Sequence, residues 1–344
     1  MSSALTFPHD APPHPGATIE VAPGVHWLRM PLPFALDHIN LWLVDGADGP
    51  TLIDTGYGDA ATRALWERQF ERTLGGRAIA RIVVTHYHPD HAGNAAWLAA
   101  RFDVDVHMTM AEFLTGHAIL AQSSGYALAD TVALFRSHGV TGDHLAALAA
   151  RGNAYRRGVP ELPARFTRIY PGEPLRLGAL EARVIAGYGH SPEHAALHVA
   201  GRDLLVSGDM LLPRISTNVS VWPAEALADP LARFLGSLEG FAALPERTLV
   251  LPSHGLPFRG IAARVAALRE HHVARLAELE EAIGSAGAPV SAADVVPLLF
   301  RRELDLQQRF FAVGESIAHL NHLAATGRVN RAAGPDGTIR FARS

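Results

Sequence analysis

The sequence predicts an α/β fold: a four-layer αββα sandwich with a helical insertion and a C-terminal winged-helix-like appendage. Three observations lead there. Short apolar runs bounded by turn residues fall into two separated groups, each accompanied by segments of helical periodicity. The stretch between the groups, residues 108–165, carries helical patterns and few strand-like runs. After a long apolar helix stripe from Ile261, further helices precede a tail that reads as a two-stranded wing.

Taken in order, Ile39–Val44 and Thr51–Asp54 are apolar runs separated by the Gly- and Asp-rich Asp45–Pro50, the pattern of a β-hairpin. Ala61, Leu65, Trp66 and Phe70 recur at helical spacing over residues 60–72, and Ile82–Thr85 then reads as a buried strand. In the insertion, Leu128–His138 and Asp143–Ala150 are the helical patterns. The second strand group comprises Ala182–Ala186, Ala195–Val199, Leu204–Ser207 and Thr248–Leu251, with a helix over Pro230–Leu238. Val265, Leu268, Leu276, Leu279 and Ile283 form one helix stripe, broken by Ser285–Pro289. A helical run that follows Ser291 and extends through Phe300, and a second helix from Gln307 to Ala325, lead into the wing, Thr326–Val329 through Ile339–Phe341.

Composition removes several function classes. With 344 residues and a 48 % hydrophobic fraction, the chain can bury a substantial core. A formal charge of −4 gives no general reason to expect nucleic-acid binding, which needs concentrated positive surface. The sequence contains no cysteine, so any metal must be held by histidine and carboxylate rather than thiolate. All 30 basic residues are arginine, which excludes a Schiff-base lysine, a P-loop lysine and a Ser-Lys dyad. Residues 1–24 lack a basic start followed by a long apolar run, and no later stretch reaches about 18 uninterrupted apolar residues. A cytoplasmic location without membrane association is the resulting expectation.

The chemistry concentrates in Thr85-His86-Tyr87-His88-Pro89-Asp90-His91. Four metal-ligand types, His86, His88, Asp90 and His91, crowd into six residues just past a strand, where a turn can aim alternate side chains differently. A lone histidine would more often be a packed or capping residue; core packing asks for nothing like this set. Gly189-His190-Ser191-Pro192, Ser207-Gly208-Asp209-Met210 and Pro252-Ser253-His254-Gly255 each add a ligand type at a strand end beside turn formers. The total is five imidazoles and two carboxylates.

In these four ordered motifs, over roughly residues 20–260, the chain resembles the metallo-β-lactamase superfamily, particularly its glyoxalase II and lactamase-like endoribonuclease branches. The resemblance implies a first metal on His86, His88 and His190, a second on Asp90, His91 and His254, and Asp209 bridging them. It implies that Asp54 hydrogen-bonds a ligand histidine and fixes its tautomer; an Asx turn before Gly56 is the plain alternative. Two Zn²⁺ ions suit such donors, although Fe or Mn fits the same set. A hydroxide shared by two ions about 3.5–4 Å apart would be the nucleophile, with Asp90 orienting it and carrying its proton. His88 departs from the flavodiiron branch, which has a carboxylate there, and the missing cysteine departs from the commonest antibiotic-hydrolysing type.

The expected organisation is a flexible N-terminal arm over 1–19, a catalytic domain over 20–260 with residues 108–165 as insertion or lid, and a helix plus small winged-helix-like unit over 261–344. His194 follows His190 by four, but Pro192 argues against a helix presenting both. His107 and His198 are expected in the core or on the surface, His272 packed on the helix stripe, and His9 and His14 in the arm. Tyr188, Asn218 and Trp222 flank the motif-bearing strand ends and are candidate substrate-binding residues, with ordinary packing as the alternative.

The expected reaction is hydrolysis of a thioester or ester of a small organic acyl compound. Phosphodiester hydrolysis of the endoribonuclease kind is the alternative, drawn from the His190–Leu197 run and the appendage; lactone hydrolysis and mono-iron persulfide oxygenation follow. From Leu298 to Ser344 seven arginines face four acidic residues, too small a surplus for a phosphate track, so a small-molecule partner is favoured over nucleic acid. The appendage could equally serve packing or a homodimer.

Overall fold

The computed structural model describes residues 5–344. Seven strands form one sheet in the order β1 to β7: β1 (Ile19–Ala22), β2 (Val25–Pro31), β3 (His38–Val44), β4 (Thr51–Ile53), β5 (Arg81–Val83), β6 (Val106–Met108) and β7 (Thr167–Arg168). A second sheet runs β12-β11-β10-β9-β8, from β8 (Pro174–Leu177), β9 (Leu180–Gly187), β10 (His194–Val199), β11 (Leu204–Gly208) and β12 (Leu249–Pro252). β3 and β4 are the antiparallel hairpin expected over Asp45–Pro50. Four strands, β1, β2, β7 and β8, lie beyond the runs picked out from sequence.

Alternation along the strands makes the layers. In β2 and β3, Trp27 and Trp42 are register partners with stacked rings 6.0 Å apart, and they face a core between the two sheets with Val184, Leu197 and Leu251. Their neighbours Leu28, Met30, Leu41 and Leu43 face the opposite side. There they pack with Trp66 and Phe70 of α1 (Ala60–Arg72) and Leu98 of α3 (Ala95–Phe102), which follows the short α2 (Pro89–Ala92). A period of two with both faces buried requires a layer on each side of the sheet. The outer face of the second sheet is covered by α8 (Pro230–Ala242) and α9 (Ile261–Ser285), giving the αββα order.

The insertion consists of α4 (Met110–Leu120), α5 (Leu128–Ser137), α6 (Gly142–Ala150) and α7 (Ala154–Gly158). The C-terminal unit contains α10 (Ala292–Leu299), α11 (Leu306–Ala325) and the antiparallel wing β13 (Val329–Ala333) with β14 (Ile339–Arg343). Ser291 caps α10 and Asp305 caps α11, each accepting from an N–H of the first turn. α11 shares one core with α8, α9 and α10, so the unit is packed onto the sandwich.

The N-terminal segment differs from the free arm expected over 1–19. Residues 1–4 lie outside the described residues. Thr6 exchanges two backbone hydrogen bonds with Arg259, and the ring of Phe7 lies 6.5 Å from that of Phe258. Apolar Phe7 gives this segment something to bury. Among the described residues, no helix is long and apolar enough to cross a membrane.

Candidate metal centre

Five strand ends converge on one edge of the sandwich. β4 delivers Asp54 and β5 the His86–His91 loop; β9, β11 and β12 end beside His190, Asp209 and His254. The pairs β4·β5 and β11·β12 are both parallel, so their carboxyl ends emerge on the same side. Loops at such ends are held by a rigid scaffold yet free to carry polar side chains.

The side chains assemble into two groups. His86, His88, His190 and Asp209 form one, and Asp90, His91 and His254 the other, with the ligand-type atoms of each group within 4.8 Å of one another. Within the first, His86 Nε2 lies 2.9 Å from His88 Nδ1 and 3.2 Å from His190 Nε2. Asp209 spans both: its Oδ2 is 3.3 Å from His190 Nε2, and its Oδ1 is 3.4 Å from both His91 Nε2 and His254 Nε2. Asp90 Oδ2 closes the second group, 3.4 Å from His254 Nε2 and 3.7 Å from His91 Nε2.

The outward nitrogens of three of the rings are engaged, which fixes their tautomers. His91 Nδ1 donates to Asp54 Oδ2 at 2.8 Å, His190 Nδ1 to the Asn218 carbonyl at 2.8 Å, and His254 Nδ1 to the His38 carbonyl at 2.7 Å. Each ring therefore turns a lone pair at Nε2 toward the centre, the arrangement a metal ligand needs. His91 Nε2 and Asp209 Oδ1 are buried without a hydrogen-bond partner. Buried polar atoms are rarely orphaned unless something else satisfies them, so the residues present fit a divalent cation.

The electrostatics agree. Burial, reinforced by the neighbouring imidazoles, holds His86 well below its ordinary pKa, and burial with His190 takes His88 down to about 3. Neutral imidazole is the ligating form. In the second group burial opposes charge but carboxylates outweigh it: Asp54, Asp90 and Asp209 raise His91, and Asp209 with Asp90 raises His254 to about 10. Carboxylates that pull protons onto two imidazoles favour a cation at the same point. Burial raises the Asp90 carboxyl, but His91 and His254 win and hold it below the carboxylate range.

Backbone devices support the site. Asp54 adopts φ +60° in the left-handed region, which Asp tolerates better than most residues, and its carboxylate also accepts from Thr85 N and Oγ1. Gly208 has φ +53°, and a Cβ there would lie 2.2 Å from His194 Nε2. His194 is fully buried outside both groups and accepts from the Asp209 N–H at 3.2 Å, so it holds the Asp209 backbone.

Two residues that sequence reasoning passed over matter here. Glu112, on α4 of the insertion and fully buried, accepts from Tyr87 N, Ser191 Oγ and Glu193 N, clamping the His86–His88 loop to the His190 loop. An acid in the first turn of a helix ordinarily reads as a charge for the helix dipole, and its partners lie far away in sequence. Asn40 donates to the Pro252 and Gly255 carbonyls and so cradles the His254 turn; a polar residue in an otherwise apolar strand was the available signal.

Of the candidate substrate-binding residues, Tyr188 is exposed past the end of β9, its N–H donating to Ser237 Oγ. Trp222 lies between Tyr87 and Phe310 of α11, with ring centroids 6.4 and 6.2 Å away. Asn218 turns its carbonyl to His190 and its amide to Glu315, so it stands behind the ligand. Among the other histidines, His107 and His198 occupy β6 and β10, His272 is buried in α9 against His319, and His9 meets the Trp27 ring edge-on. His14 is exposed.

Comparison with known proteins adds independent findings. The family model described as the metallo-beta-lactamase superfamily matches residues 35–254, and the model described as metallo-beta-lactamase-like, C-terminal domain, matches residues 276–344. A beta-lactamase domain protein from Burkholderia ambifaria is 47 % identical in its crystal structure, with TM-score 0.91 and coverage of 99 % of this chain and 98 % of that one. The probable metallo-hydrolase YqjP of Bacillus subtilis is 26 % identical over 87 % of this chain and 91 % of its own length. A hydroxyacylglutathione hydrolase of Rhodobacter capsulatus is 25 % identical over 65 % of this chain and 64 % of its own length. The human acyl-coenzyme A thioesterase MBLAC2 is 26 % identical over 67 % of this chain and 78 % of its own.

Proposed function

The chain belongs to the metallo-β-lactamase superfamily, and on that premise we propose that it is a di-metal hydrolase of thioesters or esters of small organic acyl compounds. The observation that carries the reading is Asp209, whose two oxygens reach two separate groups of three further donors. One carboxylate shared in this way is the design of a binuclear site. His86, His88 and His190 would hold one ion and Asp90, His91 and His254 the other, with Asp209 between them. Zn²⁺ is the proposed metal on the strength of an all N/O donor set; Fe and Mn are the alternatives.

Two such ions, when bound, supply a nucleophilic water at neutral pH and polarise the bond to be cleaved. The residues of this chain do the rest. Asp54, the Asn218 carbonyl and the His38 carbonyl keep three imidazoles in the ligating tautomer. Glu112 keeps the two ligand loops at a fixed separation. Asp90, less deeply buried than the histidines beside it, would hold the second ion through Oδ2 and carry a proton toward a leaving group on its other carboxylate oxygen. A thiolate or alkoxide leaving group needs that proton, and Asp90 is the proposed carrier.

Thioester is preferred because two of the reported relatives are named for hydrolysis of a hydroxyacylglutathione and as an acyl-coenzyme A thioesterase. The test is turnover of a panel on the zinc-loaded protein: acyl thioesters, p-nitrophenyl esters, lactones and bis-p-nitrophenyl phosphate. The thioesters and esters should turn over well above the phosphodiester. Preference for the phosphodiester would replace this reading with a nuclease-like one.

A further inference from the structure

Helix α11 belongs to the C-terminal unit, yet it approaches the metal centre from behind. At Gly314 it runs so close to residues 218–221 that a Cβ would sit 2.9 Å from Ser220 Oγ and 3.0 Å from Ser220 Cβ. The Val221 N–H donates to the Gly314 carbonyl, tying the segment to the helix. The next residue, Glu315, is half-buried and accepts at Oε2 from Asn218 Nδ2 at 3.2 Å. Ser220 Oγ donates to Asn218 Oδ1 at 2.8 Å, so both ends of that amide are engaged and its orientation is set. The backbone carbonyl of the same Asn218 accepts from His190 Nδ1.

We propose that Glu315 is a positioning residue for the metal centre, acting through Asn218 on His190 and making the C-terminal unit part of the site. His190 is anchored on its outer side by a carbonyl in an irregular segment outside the named strands and helices, which would otherwise be free to shift. Glu315 and Ser220 immobilise that segment, one at each end of the Asn218 amide. The close approach at Gly314 makes this possible: a larger residue would lift the helix and take Glu315 out of reach. Partners behind a ligand commonly change metal affinity by about 10–100-fold when removed. One step further out, Glu315 should sit at the lower end of that range.

The inference rests on His190 being a ligand, so His190→Ala provides the control. Full-length protein is loaded with Zn²⁺, and each metal equivalent is titrated out with a chromogenic chelator. His190→Ala should lose one equivalent; if it keeps both at unchanged affinity, the site reading itself fails. Glu315→Ala should weaken one equivalent by about 10-fold and leave the other within about twofold. Glu315→Gln retains an oxygen that can accept from Asn218 and should restore that affinity to near the parent value. The double variant Glu315→Ala with Asn218→Ala should be no weaker than Asn218→Ala alone, since the path is already cut.

Unchanged affinity in a folded Glu315→Ala protein, equal weakening of both equivalents, or failure of Glu315→Gln to restore it would overturn the proposal while leaving the His190 result intact. Should Glu315→Ala not yield folded protein, Ser220→Ala carries the same test. It removes only the hydroxyl at the other end of the Asn218 amide and should likewise weaken one equivalent alone.

Discussion

Asp54→Asn is the most informative single substitution at the centre. The carboxylate of Asp54 is buried and accepts from His91 Nδ1, Thr85 N and Thr85 Oγ1. Asparagine fills the same volume and tolerates the left-handed backbone at φ +60°. It can keep one oxygen on the Thr85 N–H, but its NH₂ must then face His91 Nδ1–H, donor against donor. The ring can escape by moving its proton to Nε2, which spoils the ligand, or by leaving Nδ1–H unpaired. Losing a hydrogen bond to a charged group costs about 1.5–3 kcal/mol, and every 1.4 kcal/mol is tenfold in affinity, so the metal equivalent held by His91 should weaken about 10–100-fold. Zinc release to a competing chelator, followed in both equivalents, is the assay. The equivalent on the His86 side should change little. Two equivalents released as in the parent protein would refute the reasoning that Asp54 sets the His91 tautomer.

Other outcomes follow from the same geometry. Asp90→Asn should lower kcat by about 10²–10⁴ on thioesters while metal analysis still finds metal bound, if Asp90 carries the proton; full turnover with both metals present sinks that role. Glu112→Gln sets an NH₂ against one of three buried donors and should cost about 1–3 kcal/mol in urea unfolding; an unchanged midpoint would show that the clamp is idle. Part of the acid sensitivity should come from the buried His272–His319 pair, beside the site imidazoles His86 and His88 that burial also keeps neutral. Burial takes His272 down to about 3 and His319 to about 4, so the unfolded chain binds these protons first. Their contribution to stability is complete above pH 6.5 and fades as pH falls toward 4 and below. At pH 4.5 the two together should cost roughly 5 kcal/mol, and His272→Leu should flatten the acid limb of a stability–pH curve measured by denaturant unfolding. An identical acid limb in that variant would rule the pair out.

Much of this was legible in the sequence because the chemistry is local there. Four donors in six residues after a buried strand need no long-range knowledge, and the hairpin at Asp45–Pro50 announces itself through turn residues between apolar runs. The strands that escaped have weak local signals. β7 has only two residues, β8 opens on Pro174, and β2 ends on Pro31; their partners rather than their composition make them strands. Glu112 and Glu315 escaped for a different reason. Each acts on groups brought to it by the fold, and nothing in the residues around it marks the acceptor role. The sequence points to the Asn218 side chain as a candidate for substrate binding, whereas its backbone carbonyl is what reaches His190. Sequence patterns report side chains and are silent on which carbonyl a histidine will find.

The central claim is that the two donor groups hold two ions with Asp209 between them. It is tested most directly by anomalous scattering at the zinc edge from crystals of the zinc-loaded protein. Two peaks are expected, one among His86, His88 and His190 and the other among Asp90, His91 and His254, both within coordination distance of Asp209. A single peak, or peaks remote from these side chains, would contradict the account.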